Sequence, residues 1–254
     1  MAASNEPWIP ASDPNSDKVL FVPAVDQLLT PDIYSMNPRQ ISQLSSRNSA
    51  YLCIQKDDGY TPVLTNRMSI PGLKAAMPGV SLAIRKSGIP ETQIISVVLP
   101  TCNREAAEEL AKNHERVMLN RWREKIRFIA TKPITSYSVI AKLATDLGIK
   151  PIVTDMESRI DKMITPNLHY SELKIQAQDV AALCQCTEEG SQVRTVVAKA
   201  IARALVVDRL GERKEIGKIL HKNLKFHDEV MKAMVFWWER QDAGINVKFY
   251  ARLT

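Results

Sequence analysis

Lys112, Arg116, Asn120, Arg123 and Arg127 recur at three- and four-residue steps, the spacing that sets side chains on one face of a helix. The chemistry this suits is phosphate binding. Lys and Arg neutralise phosphate oxygens, and the planar guanidinium engages two of them at once. From position 112 to 132, the bases Lys112, Arg116, Arg121, Arg123, Lys125, Arg127 and Lys132 are set against Glu115 and Glu124 alone. A second set, Lys214, Lys218, Lys222 and Lys225, repeats with similar spacing, and His221 lies beside it. Both read as ridges for a polyanion.

Patterns for catalysis fail on spacing. Gly211 and Gly217-Lys218 are separated by five residues where a phosphate-binding loop has four, and Ile219 stands where a magnesium-ligating hydroxyl is needed. Cys184 and Cys186 flank a single residue, too short for the pairs that usually grip a structural zinc ion. Asp155, Glu172 and Lys174 have the composition of a hydrolytic metal site, but the segments around them read as helix, where a charged pair is ordinarily solvated. His227-Asp228-Glu229 reads as a helix start, with acids against the dipole. The expectation is therefore no catalytic residue, no metal and no cofactor.

The elements that must carry the ridges follow from periodicity. Leu119, Trp122, Ile126 and Ile129, widened by Ala111 and Met118, form an apolar stripe about a quarter-turn from the first ridge. Thr101–Pro133 is accordingly read as one long helix with a core face and a basic face. Trp122 and Phe128, like Trp237 and Trp238, have the spacing of core aromatics. On a groove they would instead stack on bases.

Ala50–Gln55 and Tyr60–Thr65 flank Lys56-Asp57-Asp58-Gly59 and predict a hairpin turning on the Asp-Gly pair, with Pro62 directing the second strand to an edge. Pro71 and Pro78 mark the first turns of short helices. Ile94–Leu99 is apolar and fits either strand or buried helix. Beyond it helices dominate. One is capped by Ser136 and stopped by Gly148 and Pro151. One opens on the capping box Thr154/Glu157, and another on Ser171. Gly190–Leu210 is apolar over a wide arc and is expected at the centre of a core. Glu212–Lys225 carries the second ridge, and Asp228–Gln241 is the last helix.

Residues 1–37 hold Pro7, Pro10, Pro14, Pro23 and Pro31 among dispersed apolar residues. They read as an extended arm whose anchors Trp8, Leu20, Phe21 and Val22 dock either on their own lobe or on a neighbouring subunit. The expected fold is mainly α and two-lobed, with a small β-hairpin near residues 50–65 and extended N- and C-terminal arms. The expected divisions are 1–37 (arm), 38–132 (lobe with hairpin and long basic helix), 133–243 (helical lobe) and 244–254 (arm).

The 254 residues are 45% apolar and 24% charged, enough for a sizeable core. The net charge of +6 and pI near 9.1 favour acidic partners. No secretory leader, myristoylation signal, membrane span, glycosylation sequon or disulfide framework is legible, which points to a reducing compartment, cytoplasm or virion. These features together lead us to expect a self-assembling structural protein that binds the nucleic-acid backbone, single-stranded RNA above all. By architectural analogy it is of the viral nucleocapsid or coat kind. The alternatives are a matrix-type protein whose lysines lie on an anionic membrane surface, and an enzyme of unrecognised type acting on a phosphorylated substrate.

Overall fold

The structure is a computed structural model and describes residues 9–10, 18–45, 48–57, 59–118, 134–164, 175–187, 189–206 and 210–240. Among them are ten α-helices and a small mixed sheet, so the fold is mainly α with a minor β element. The chain divides into two compact units, Met1–Thr131 with Ile140–Thr154, and Lys132–Val139 with Asp155–Thr254.

The first unit holds the sheet. Strand β3 (Ser49–Lys56) turns back into β4 (Gly59–Pro62) as an antiparallel hairpin. The turn is not the Asp-Gly pair expected from sequence. Lys56 pairs with Gly59, which is already strand, and Asp57 takes the left-handed conformation at φ 43°. Aspartate tolerates that region better than most side chains. The apolar run at Ile94–Leu99 resolves as strand β6 (Ser96–Leu99), every residue of it buried. It lies between β3 and β2 (Val19–Phe21), parallel to both. With β1 (Ile9–Pro10) the order is β1-β4-β3-β6-β2, and β5 (Met68–Ser69) pairs with the start of β3. Strand β4 therefore has neighbours on both sides. Pro62 lies beyond the pairing with β1, where its missing N–H costs no ladder bond on that side.

Helix α1 (Pro38–Gln43) opens on a capping box from Asn37 to Gln40. Helices α2 (Ile70–Ala76) and α3 (Pro78–Ser87) carry Pro71 and Pro78 in their first turns, as expected. Helix α4 (Arg104–Met118) begins where the Asn103 side chain accepts the Ala106 N–H at 2.9 Å, and the rest of the predicted long helix lies outside the described residues. Helix α3 packs on β2 and α4 on β3.

Two expected helix starts move upstream. Helix α5 (Ile134–Asp146) already contains Ser136, and α6 (Lys150–Ile164) begins before Thr154, with Pro151 in its first turn rather than ending α5. A first-turn N–H has no intrahelical partner to lose, so proline is at home there. Gly148 stops α5 as expected at φ 75°, and an added Cβ would stand 2.9 Å from Val25 Cγ2. That close approach has a consequence for the N-terminal segment. Val25 and Leu29 donate N–H bonds to Asp146 and Gly148, and Leu29 accepts from Lys150, each at 2.9 Å. The stretch from Lys18 onward is thus strand and strap packed within its own unit, the first of the two dockings expected for it. Leu20 and Val22 are buried in that unit's core, Phe21 is exposed, and Trp8 lies outside the described residues.

The second unit is helical: α7 (Ala177–Cys186), α8 (Gln192–Val206), α9 (Arg213–Lys222) and α10 (Leu224–Arg240), with parts of α5 and α6. Helix α7 starts on a Gln176/Asp179 capping box, downstream of Ser171, which is outside the described residues. Helix α8 is the central one anticipated. Val193, Val197, Ile201 and Leu205 are all buried, and α10 packs along it. Helix α10 starts four residues before the expected Asp228, so His227-Asp228-Glu229 sits within it.

Candidate nucleic-acid interface

Helix α9 is built from both ends. At its N-terminus Glu212 is held in the left-handed region at φ 45°, a costly conformation for a residue with a side chain. Its carboxylate accepts the Ala177 N–H at 2.8 Å, at the positive end of α7, so the strained residue ties the two helices together. Ile216 and Leu220, one turn apart, are buried where α9 packs on α7 and α10. At the C-terminus, Asn223 donates its backbone N–H to Ile219 and Leu220 and its side-chain N–H to Ile219. The chain then turns into α10.

This packing decides where the lysines go. Lys214, Lys218 and Lys222 step round the helix by about 40° and along it by roughly 6 Å per repeat, on the side away from Ile216 and Leu220. All three are exposed, and none pairs with a carboxylate among the described residues. His221 is exposed beside them. Lys225, predicted on the same face, is not on α9 at all. It follows the Asn223 corner and lies in the first turn of α10, where it pairs with Glu189 at 2.6 Å. That hydrogen bond holds the Glu189 carboxyl below its ordinary range.

The first ridge is different. Lys112 lies 3.6 Å from both Glu108 and Glu109, and Glu108 also accepts from Arg104 Nε at 2.8 Å. The Arg104 hydrogen bond, with the Lys112 charge, holds the Glu108 carboxyl below the usual range. Arg116 is likewise engaged by its own chain. Asn120, Arg123 and Arg127 lie outside the described residues. The inner face of α4 serves packing. His114 is buried against α2, its Nδ1 has no hydrogen-bond partner among the described residues, and burial pushes its pKa down to about 4, so it is neutral at physiological pH. A Cβ on Gly72 would sit 3.0 Å from Met118 Sδ and 3.3 Å from His114 Cε1.

Two further features bear on the choice of site. A groove of about 600 Å³ runs between residues 23–32 and helices α2 and α3, but Asp26 and Asp32 line it together with Arg85 and Lys86, and Lys74 is paired with Glu91. Mixed signs do not concentrate phosphate. The buried thiol of Cys53 is quiet as well. Burial pushes the Cys53 thiol up to about 12, and no group of three or more His, Cys, Asp or Glu among the described residues is placed to hold a metal.

The sequence reading missed Arg194. It is buried on α8, stacks over Phe226 at 5.0 Å and donates Nε to Glu229 at 2.9 Å, fastening α8 to α10. A lone arginine beside Val193, on the apolar side of α8, was its only sequence signal. No protein-family model, curated protein sequence or solved structure matches this chain.

Proposed function

We propose that this chain is a self-assembling structural protein that binds single-stranded nucleic acid through its phosphate backbone, in the manner of a nucleocapsid or coat protein, and works in the cytoplasm or a virion. Its role is binding rather than catalysis. The observation that carries the reading is the α9 ridge: Lys214, Lys218 and Lys222 in line, exposed and unneutralised among the described residues, on a helix whose opposite face is anchored. Phosphate contacts of this kind are independent of sequence and salt-sensitive.

Self-association is supported by the edge of the sheet. Val22 N–H and Lys18 C=O face β6, so the backbone groups of Val19 and Phe21 point outward and find no partner among the described residues. An open edge of this sort accepts a strand from another chain.

Filter binding of a single-stranded RNA, with Lys218→Glu/Lys222→Glu beside the parent protein, tests the reading. Parent protein that retains no RNA at low salt would sink it. No helix among the described residues is long and apolar enough to cross a membrane. Lysines on an anionic leaflet remain the second use of the same ridge, and flotation with anionic liposomes at matched salt separates the two.

A further inference from the structure

The register of the sheet assigns residues to its two faces. Phe21 pairs with Val98 and Val98 with Cys53, while Val19 pairs with Ser96 and Ser96 with Tyr51. Directly paired residues share a face, as do residues two apart on one strand. One face therefore carries Phe21 and Tyr51 together with Tyr60, which pairs with Gln55. The other carries Leu20, Leu52 and Val97, all buried.

On the first face Val19, Cys53, Tyr60 and Val98 form a buried cluster, but Phe21 is 53% exposed and Tyr51 36%. The Phe21 ring meets Tyr60 edge-on at 6.5 Å, which fixes its orientation. Strand β5 pairs Met68 with Ala50, which brings the preceding residue, Arg67, beside Tyr51. Its guanidinium lies 5.4 Å from the centre of that ring. Arg67 is exposed and makes no ion pair among the described residues. The paired residues of this face include no acid.

We infer that this face of the first unit is a stacking platform for the bases of a single-stranded nucleic acid, with Phe21 and Tyr51 as the rings and Arg67 as the cation beside them. A single strand presents two things together, planar rings and negative charge, and the platform offers a partner for each. A bare polyanion would not need the rings, and an apolar peptide would not need the unpaired arginine. Two rings on strands separated by β6 can take two bases of one strand, as aromatic side chains on a sheet do for unpaired nucleotides. The inference rests on the nucleic-acid reading above and adds where the bases, rather than the phosphates, are held.

The test uses the full chain and two probes of equal length: a single-stranded oligoadenylate and an abasic ribose-phosphate strand. The parent protein should bind the base-bearing strand more tightly. Phe21→Leu and Tyr51→Leu should each weaken oligoadenylate binding by about 5-fold or more and leave abasic binding and the salt slope unchanged. Arg67→Gln, at an exposed position, gives a third variant should a strand substitution fail to fold. It should also lower oligoadenylate affinity. Equal parent affinity for the two strands, or variants that bind oligoadenylate like the parent, overturns the platform and leaves the α9 ridge standing. Parent protein that binds neither strand overturns the proposed function itself. A change in oligomeric mass on Phe21→Leu, with base preference retained, places Phe21 in a subunit contact and also overturns the platform.

Discussion

Helices α4 and α9 present nearly the same pattern, cations every fourth residue on one face and apolar residues on another, yet they do different things with their charge. On α4 the described cations are satisfied locally, since Lys112 has Glu108 and Glu109 one turn back. On α9 the residue four before Lys218 is Lys214 and the residue four before Lys222 is Lys218, while Glu215, three before Lys218, pairs with none of these lysines among the described residues. A periodic row of cations is a candidate binding surface only where the acids within a turn of it leave it unpaired. Counting basic residues in a window from position 112 leaves out the two glutamates that matter.

The comparison breaks most completely if the frame behind α9 fails. Ile201 is fully buried on α8, which packs along α10. Ile201→Asp places an unpaired charge there, and loss of cooperative unfolding in a thermal melt, or insolubility, is expected. A soluble variant with the parent melting temperature would mean α8 is not the support that α9 and α10 require.

The next largest effect separates packing from binding on α4. The His114 imidazole titrates near 6.5 in the unfolded chain and near 4 when folded. Between those values only the unfolded chain takes up the proton, so stability is level above about pH 6.5 and falls as pH drops toward 4. At about 1.4 kcal/mol per pKa unit the loss is on the order of 3 kcal/mol. Urea denaturation at pH 7 and pH 4.5 measures it, and His114→Leu should flatten this part of the dependence. An unchanged slope in that variant would show that His114 is not the group whose burial sets this pH dependence.

The ridges themselves come third. Lys218→Glu with Lys222→Glu should lower the log–log salt slope for a single strand by about 1.4 and cost roughly 25-fold in affinity at 0.1 M salt, with little change in stability. Lys112→Glu should do the reverse, shifting stability by up to ~1 kcal/mol through repulsion with Glu108 and Glu109 while RNA affinity stays within twofold. Arg123→Glu with Arg127→Glu probes the stretch beyond the described part of α4. If that pair abolishes binding and the α9 pair does not, the ranking of the two helices is inverted.

The smallest effect sharpens the picture. An added Cβ at Gly217 meets nothing within 4 Å. Gly217→Ala should therefore stabilise α9 by roughly 0.5–1 kcal/mol, seen as a higher melting temperature, with RNA binding retained.

By itself the sequence determined what local chemistry controls. The helical bulk, the β3–β4 hairpin, the first-turn prolines Pro71 and Pro78, the stop at Gly148 and the buried stripe of α8 all follow from period, φ preference and missing N–H groups within a few residues. The lysine row of α9 was legible for the same reason. Tertiary structure decided the rest, because it depends on residues far apart in the chain. Leu20 and Val22 looked like arm anchors until β6, more than seventy positions on, took β2 into the sheet. Lys225 left the ridge because Asn223 ends one helix and Glu189 lies across the turn between α7 and α8. Arg67 reaches Tyr51 only through the pairing of β5 with β3, and Arg194 is tolerated in the core only because Glu229 and Phe226 meet it from α10. A charge or an aromatic ring has no fixed role in a one-dimensional pattern, since whether it is paired, buried or exposed is set by whichever distant segment arrives beside it.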